Sequence, residues 1–354
     1  MERYLKKLVE FYPVTSNQTS VRQLLEYVQS QLMRNGVPSN ILEYNGVHNL
    51  YAHPKKEKHS RLLLQAHADV VPTEKHAFSK KDGRYFGRGV YDMLFATACY
   101  LRLFDEIGSK IAKSDVSLLL SGDEETGGFN GAGAFLENGY TTDVCILPDA
   151  GEYFGAVNAA AKGFFSCTIT IHGKAHHGSR PWEGDGAAIK LVHFLNEFEK
   201  SFSSNDREDS TMTVAMLRSG DADNKGPATA EAVLDIRYPS GNELERIKKT
   251  LNKKLKKYHG EIKETAVGSD YQLDVTHPDV QSFLEMYERH VGGKIVYKKA
   301  YGSSDARFFA AKDIPTIMFR PLGGGAHGDE EWISEEELEK FYQLLKEYVS
   351  ELIQ

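Results

Sequence analysis

Hydrophobic and polar positions along this chain change rhythm twice. Up to about residue 160, short continuous apolar runs alternate with stretches of helical spacing. The apolar runs are Arg61–Asp69, Val116–Glu125 and Asp143–Asp149, each ending in acidic or imidazole side chains. Helical spacing covers Arg3–Phe11, Thr19–Asn35 and Met93–Gly108, the last beginning just after Asp92, which is well placed as its N-cap. Strand and helix signals in alternation predict a layered α/β domain. Near Gly163 the rhythm shifts. Phe164–Ile171 alternates like a strand, and Asp185–Phe202 carries Ala188, Leu191, Leu195 and Phe198 at helical spacing. Thr211–Leu217 and Glu231–Tyr238 read as strands, Asn242–Tyr258 as a charged amphipathic helix and Glu261–Val267 as a last strand. That β-α-β-β-α-β order is ferredoxin-like and complete in itself. The α/β pattern then resumes, with a helix at Asp279–His290 and strands near Lys294–Tyr297 and Thr316–Phe319. Ser334 and Glu337 form a capping box for a closing helix bearing Leu338, Phe341, Leu345 and Tyr348. The expected organisation is one α/β domain, residues 1–162 and 271–354, interrupted by an inserted domain at 163–270.

Composition narrows the partners. With 354 residues, two domains are the prior, and 41% hydrophobic with 26% charged residues is a globular balance. The net charge of −7 and the lack of a long basic run argue against nucleic acid or an anionic membrane surface as partner. No apolar stretch reaches membrane-spanning length, and Met1–Lys7 opens no segment of signal-peptide type. Cys99, Cys145 and Cys167 are scattered within apolar runs, so buried thiols and a reducing cytoplasm are expected.

Candidate chemistry sits at the ends of the apolar runs, where ligands collect in open α/β sheets. His67 and Asp69 are two apart and share a face, so Asp69 would accept the second imidazole N–H while His67 binds a metal. A strand-end histidine bonded only to its neighbour is the simpler alternative. Glu124 and Glu125 are adjacent and point apart, so one would bind a metal while the other faces water as a general base. An acidic turn in solvent is the rival, but the pair follows an apolar strand and precedes Gly127-Gly128, which leaves room for close backbone approach. Asp149 is a cap or a ligand, and so is Asp92. His327 lies among Gly323, Gly324, Gly325 and Gly328, poor company for a core histidine. Taken jointly, mixed imidazole and carboxylate donors suit zinc, cobalt or manganese in a catalytic site, whereas structural zinc sites are thiolate-rich. A shared carboxylate would set two metals roughly 3.5–4 Å apart.

These motifs resemble the co-catalytic zinc peptidases and deacylases that include glutamate carboxypeptidases, acetylornithine deacetylase, succinyl-diaminopimelate desuccinylase, aminoacylase and bacterial dipeptidases. The resemblance covers essentially the whole chain. It implies a zinc-peptidase catalytic domain, its mixed sheet flanked by helices, interrupted by a ferredoxin-like dimerisation domain. It implies that His67 and Asp149 hold one metal, that Glu125 and His327 hold the other and that Asp92 bridges them. Glu124 would be the general base that activates the attacking water and passes its proton to the leaving amine, with Asp69 supporting His67. In Gly173-Lys-Ala-His-His177-Gly-Ser-Arg-Pro181, similar to the family segment whose histidine reaches into a partner's active site, His177 stands four before the proline. It takes the oxyanion-stabilising role, His176 being the other candidate and an ordinary polar turn the rival. Asn224 and Arg237 match family positions that contact polar groups of the substrate, and a surface salt bridge is the competing account of Arg237. Gly302-Ser303-Ser304-Asp305 matches a loop lining the pocket, which makes Ser303 a substrate-binding candidate.

Two departures stand out. The family usually reads Asp-Met-Lys-Gly-Gly where this chain has Asp92-Met93-Leu94-Phe95-Ala96, which puts the local loop and entrance shape in question. The acidic ligand at 149 is Asp rather than Glu, which leans mildly toward peptidases over the desuccinylase type. The expected activity is hydrolysis of a peptide or N-acyl amino acid amide bond by a homodimer, as dipeptidase or carboxypeptidase. An N-acyl (acetyl or succinyl) amino acid deacylase is the alternative. A non-catalytic protein binding a peptide or metabolite in an old metal pocket is the reading from another class.

Overall fold

The computed structural model of the chain describes residues 1–202 and 207–353. It divides into two compact units, one of Met1–Ala160, Gln272–Ala300 and Ser304–Gln354, the other of Ala161–Tyr271 with Tyr301–Ser303.

The first unit is built on a six-stranded mixed sheet. Its order is Ser39–Tyr44, Val47–Ala52, Val116–Ser121, His59–His67, Thr141–Ile146 and Thr316–Ile317. The last four run parallel, with His67 opposite Ser121, Leu64 opposite Ile146 and Ile317 opposite Ile146. Strands covered on both faces need apolar residues throughout, and Leu62, Leu63, Leu64 and Leu118, Leu119, Leu120 are all buried. Parallel neighbours need a crossover, supplied between His59–His67 and Val116–Ser121 by the helix Leu94–Ile111. The consequence for the site is directional: parallel strands deliver their carboxyl ends to one edge. The loops carrying Asp69, Glu124, Glu125 and Asp149 therefore open on the same side.

Two local expectations need correction. Asp92 is not the N-cap of Leu94–Ile111; Met93 is, without a side-chain cap bond, and the Leu94 N–H goes to the Gly89 carbonyl at 2.7 Å. Two imidazoles claim the Asp92 carboxylate instead. The capping box is half formed: Ser334 Oγ accepts the Glu337 N–H at 3.3 Å, but the Glu337 carboxylate accepts the N–H groups of Phe154 at 2.7 Å and Leu322 at 2.6 Å. Two loops with unmet donors outcompete the return bond. The unusual Leu94-Phe95-Ala96 segment is wholly buried, with Phe95 edge-on to Phe341 at 5.5 Å. It fills core where glycines would leave space, so the departure concerns packing rather than an entrance. All three cysteines are buried and unpaired. Among the described residues, no helix is long and apolar enough to cross a membrane.

The second unit is an antiparallel sheet ordered Thr211–Ser219, Thr229–Tyr238, Gly163–His172 and Gly260–Gly268. Side chains along Gly163–His172 alternate between buried and half-buried, as period two requires. Phe165, Cys167, Ile169 and Ile171 meet Leu191, Phe194 and Phe198 of the helix Ala187–Glu199 and Ile247, Leu251 and Leu255 of the helix Gly241–Lys257. This is the βαββαβ order, with Thr211–Ser219 left as an open edge.

Candidate metal centre

Two overlapping donor groups form at the edge of the mixed sheet. His67, Asp92 and Asp149 offer ligand atoms within 4.8 Å of one another, and so do Asp92, Glu125 and His327. Asp92 belongs to both. Its Oδ1 lies 3.3 Å from His67 Nε2 and its Oδ2 lies 3.2 Å from His327 Nε2. Asp149 Oδ1 stands 3.8 Å from His67 Nε2, and Glu125 Oε2 stands 2.9 Å from His327 Nε2. Imidazole and carboxylate donors with no thiolate are a set that borderline divalent ions accept, so the residues present fit the metal dependence expected of them.

The electrostatics match a site short of positive charge. Burial first, then the neighbouring carboxylates, pushes Glu125 up to about 7 and Asp149 up to about 8. Burial and then Asp149 hold Glu124 well above the usual carboxylate range. Asp92 goes the other way: burial opposes ionisation, but His327 and His67 together hold it well below its ordinary value. Burial pulls His67 down, and the Asp69 and Asp92 carboxylates more than offset this, so its imidazole titrates well above 6.5. His327, facing Asp92, is also raised. Among the described residues nothing donates a hydrogen bond to the Glu124 carboxylate.

Asp69 has a different partner from the expected one. His67 Nδ1 lies 2.9 Å from the main-chain oxygen of Asp69, while the carboxylate stands off at 3.6 Å. That carboxylate accepts the N–H groups of Glu124 at 3.2 Å and Glu125 at 3.3 Å and the Thr15 hydroxyl at 2.7 Å. It thus orients the two glutamates more directly than the histidine. The close approach expected at Gly127-Gly128 is present: a Cβ on Gly128 would overlap the carboxylate of Asp305. Buried Asp305 accepts from Gln65 Nε2 at 3.1 Å and Ser121 Oγ at 2.9 Å, and burial raises it to about 7.

The remaining candidates belong to the second unit. His176–His177 is a short strand paired with Lys225–Gly226. His176 is packed on Gly184, Gly186 and Gly226, where any side chain would meet its ring. His177 is exposed. Its Nδ1 accepts the Ser179 N–H at 3.2 Å and lies 2.8 Å from Ser179 Oγ, which leaves Nε2 as the proton-bearing nitrogen of the neutral ring. Exposed Asn224 sits beside it, its carbonyl taking the Gly178 N–H at 2.6 Å. Arg237 lies near the other end of Thr229–Tyr238, roughly 26 Å along the strand from Thr229. Its fork is engaged by Asp235, with Nε at 2.7 Å and Nη2 at 3.0 Å. Within one chain, Arg237 is therefore not brought together with His177 and Asn224. Ser303 is half-buried and groups with the second unit.

Sequence reasoning passed over Thr15, Arg88 and Glu331. The last two are charged side chains buried within loops, and Glu331 adjoins the strand Trp332–Ser334, but an acidic loop (Asp329-Glu330-Glu331) reads as solvated until its packing is seen.

Fold and donor set together define a metal-dependent hydrolase of amide bonds. The family model described as peptidase family M20/M25/M40 matches residues 63–351, and the chain belongs to that family. It is 26% identical over 384 residues to a succinyl-diaminopimelate desuccinylase of Rickettsia akari, covering 99% of each chain. Among solved structures it is similar to a tripeptidase from Staphylococcus aureus (TM-score 0.82, 17% identity, 99% of this chain and 97% of that one). It is also similar to a metallo-carboxypeptidase of the M20 family from Sulfolobus solfataricus (TM-score 0.79, 18% identity, 100% of both).

Proposed function

We propose that the chain hydrolyses the amide bond of a short peptide next to a free carboxylate, as a dipeptidase or carboxypeptidase with two divalent ions. The observation that carries this is Asp92, whose two oxygens turn one to each donor group. His67 and Asp149 would hold one ion and Glu125 and His327 the other. Zinc suits the donors best, with cobalt or manganese as alternatives. Bound there, the ions would polarise the scissile carbonyl and make a water acidic enough to attack near neutral pH.

The chain's own groups do the rest. Glu124, high in proton affinity and without a competing donor, would take the proton of the attacking water and return it to the leaving amine. Asp69 keeps the turn of Glu124 and Glu125 in place through their N–H groups. His177, its Nδ1 committed to Ser179, would present Nε2–H to the developing oxyanion, and Asn224 beside it would contact the substrate. We assign that histidine to the partner's reaction in a homodimer formed through the second unit. Support comes from the open edge strand Thr211–Ser219, whose Met216 and Leu217 are 41% and 59% exposed. On the helix Ala187–Glu199, Ile189 is 60% exposed and Val192 56%. Arg237 and Ser303 remain candidates for substrate contact, and the buried free thiols fit a cytoplasmic setting.

A second reading, N-acyl amino acid deacylation, is favoured by the similarity to desuccinylases. Amine release from dipeptides, N-acetyl and N-succinyl amino acids, with added zinc, cobalt or manganese and after chelation, separates the two. Chelator-sensitive cleavage of dipeptides alone supports the first and of acylated amino acids alone the second. No cleavage with ions bound would sink both in favour of a binding protein.

A further inference from the structure

Behind the second donor group lies an ion pair that the proposed chemistry does not use. Arg88 and Glu331 are 3% and 2% exposed, and Arg88 Nη1 meets Glu331 Oε2 at 2.7 Å. Burying such a pair is expensive unless its remaining donors and acceptors are met; two loops meet those of both carboxylate oxygens and both terminal guanidinium nitrogens, and only Arg88 Nε is left without a partner among the described residues. Glu331 Oε2 accepts the Gly89 N–H at 2.9 Å, and Oε1 accepts those of Tyr91 at 2.8 Å and Asp92 at 2.9 Å. Arg88 Nη2 donates to the Gly328 carbonyl at 2.8 Å. One end of the pair therefore grips the backbone of Asp92, and the other grips the residue after His327.

The two gripped loops carry the shared aspartate and His327 of the second donor group. His327 stands on a glycine-rich loop at φ 62°, its side chain 57% exposed. Gly89, at φ 83°, packs so tightly on Leu94 and Val70 that a Cβ would clash. The strands Arg84–Phe86 and Trp332–Ser334 pair just outside, so the turn and the loop leave one small sheet; past the bond from the Gly87 N–H to the Glu331 carbonyl at 3.2 Å, the ion pair and the Asp92–His327 contact join them again.

We propose that the Arg88–Glu331 pair is a strut that presets the separation of Asp92 and His327 before any ion binds. Both would be positioning residues for the second donor group. This rests on the two-ion reading of the site. Charge and shape both matter: a glutamine at 331 would turn an NH2 toward the Gly89 N–H and Arg88, donor against donor. A lysine at 88 would keep the charge but replace the two nitrogens that reach Glu331 and Gly328 by one, losing the planar fork.

The test compares Glu331→Gln and Arg88→Lys with the parent in two measurements. Cobalt(II) titration of the metal-free proteins, followed by visible absorption, reads affinity and stoichiometry. Hydrogen exchange of residues 87–92 without metal reads the strut directly. In the parent, two equivalents bind. In Glu331→Gln the second equivalent is expected to weaken about 10–100-fold with a changed absorption band, the first shifting less than about threefold. Exchange in 87–92 is expected to rise several-fold while the strands 59–67 and 116–121 keep their protection. Parent-like exchange in 87–92, or two equivalents bound with parental affinity and spectrum, overturns the proposal. Should Glu331→Gln fail to fold, Arg88→Lys decides by the same measurements, with a smaller second-equivalent loss expected and parental behaviour overturning the strut. A parent that binds a single equivalent refutes the two-ion reading instead, and the exchange measurement still judges the strut.

Discussion

The two units handle polar chemistry in opposite ways. The mixed-sheet unit buries it: the Asp149 and Glu125 side chains are 7% and 5% exposed, and their carboxyls are held up to about 8 and 7 by that burial and then by Asp92. The antiparallel unit keeps it outside, with His177 and Asn224 in solvent and Arg237 answered by Asp235. The first arrangement builds in repulsion that cations or protons relieve; the second leaves its charges where solvent screens them. A change at the centre should therefore alter metal affinity, pH dependence and activity together. A change in the antiparallel unit should alter activity and leave stability alone.

The sharpest way to break that comparison is to remove the base. Glu124→Ala is expected to lose about 10²–10⁴-fold in kcat while still binding two ions, checked by turnover and metal analysis on one sample. Full activity would end the assignment. In the other unit, His177→Ala is expected to cost about 10²–10³-fold in kcat with unchanged Tm and unchanged metal content. Mixed with an inactive Glu124→Ala protein, it should regain part of its activity if the histidine acts across a dimer. A lowered Tm would mean that this side chain is structural after all.

Removing the ions tests the repulsion itself. Glu125 at about 7 and Asp149 at about 8 lie well above the roughly 4 of unfolded carboxyls. A carboxyl raised by folding adds stability below its unfolded value, and that stability is lost as pH climbs through the folded value. His67 and His327, also raised, act in the same direction, whereas Asp92, lowered, matters only in acid. The chelated protein should therefore melt at progressively lower temperature from about pH 4 to about pH 8. Metal affinity should rise over the lower part of that range by up to ~10-fold per pH unit for each proton displaced. A chelated protein with a flat profile would contradict the buried repulsion. The smallest effect is expected at Arg237: because Asp235 already occupies its fork, Arg237→Met should raise KM less than about tenfold, with kcat and Tm nearly unchanged.

Much of this organisation was legible in the chain. Continuous apolar runs such as Leu62–Leu64 mark strands covered on both faces, and the alternation in Phe164–Ile171 marks a half-buried one. Both are local consequences of backbone geometry, and the ferredoxin-like order follows from them. The polar residues at the run ends were visible for the same reason. Less legible was anything depending on partners distant in sequence. Asp92 reads as a cap or a ligand, and its carboxylate goes to His67 and His327 and none of it to the helix; Asp69 reads as a support for His67, yet its carboxylate holds Glu124 and Glu125. Leu94-Phe95-Ala96 reads as a change at the entrance, yet it is core.

The sequence by itself determined which residue types stand at strand ends, how the strands and helices follow one another and that two kinds of domain are interleaved, because period and punctuation act over a few residues. Only the tertiary structure decided which oxygen of Asp92 faces each donor group, that Arg237 is already paired and that Arg88 and Glu331 join the loops of Asp92 and His327. Those facts depend on parallel strands opening their loops to one edge and on buried charges finding partners some 240 residues away. Burial makes an unpartnered charge too costly to leave, and which partner answers it is settled only when the chain closes.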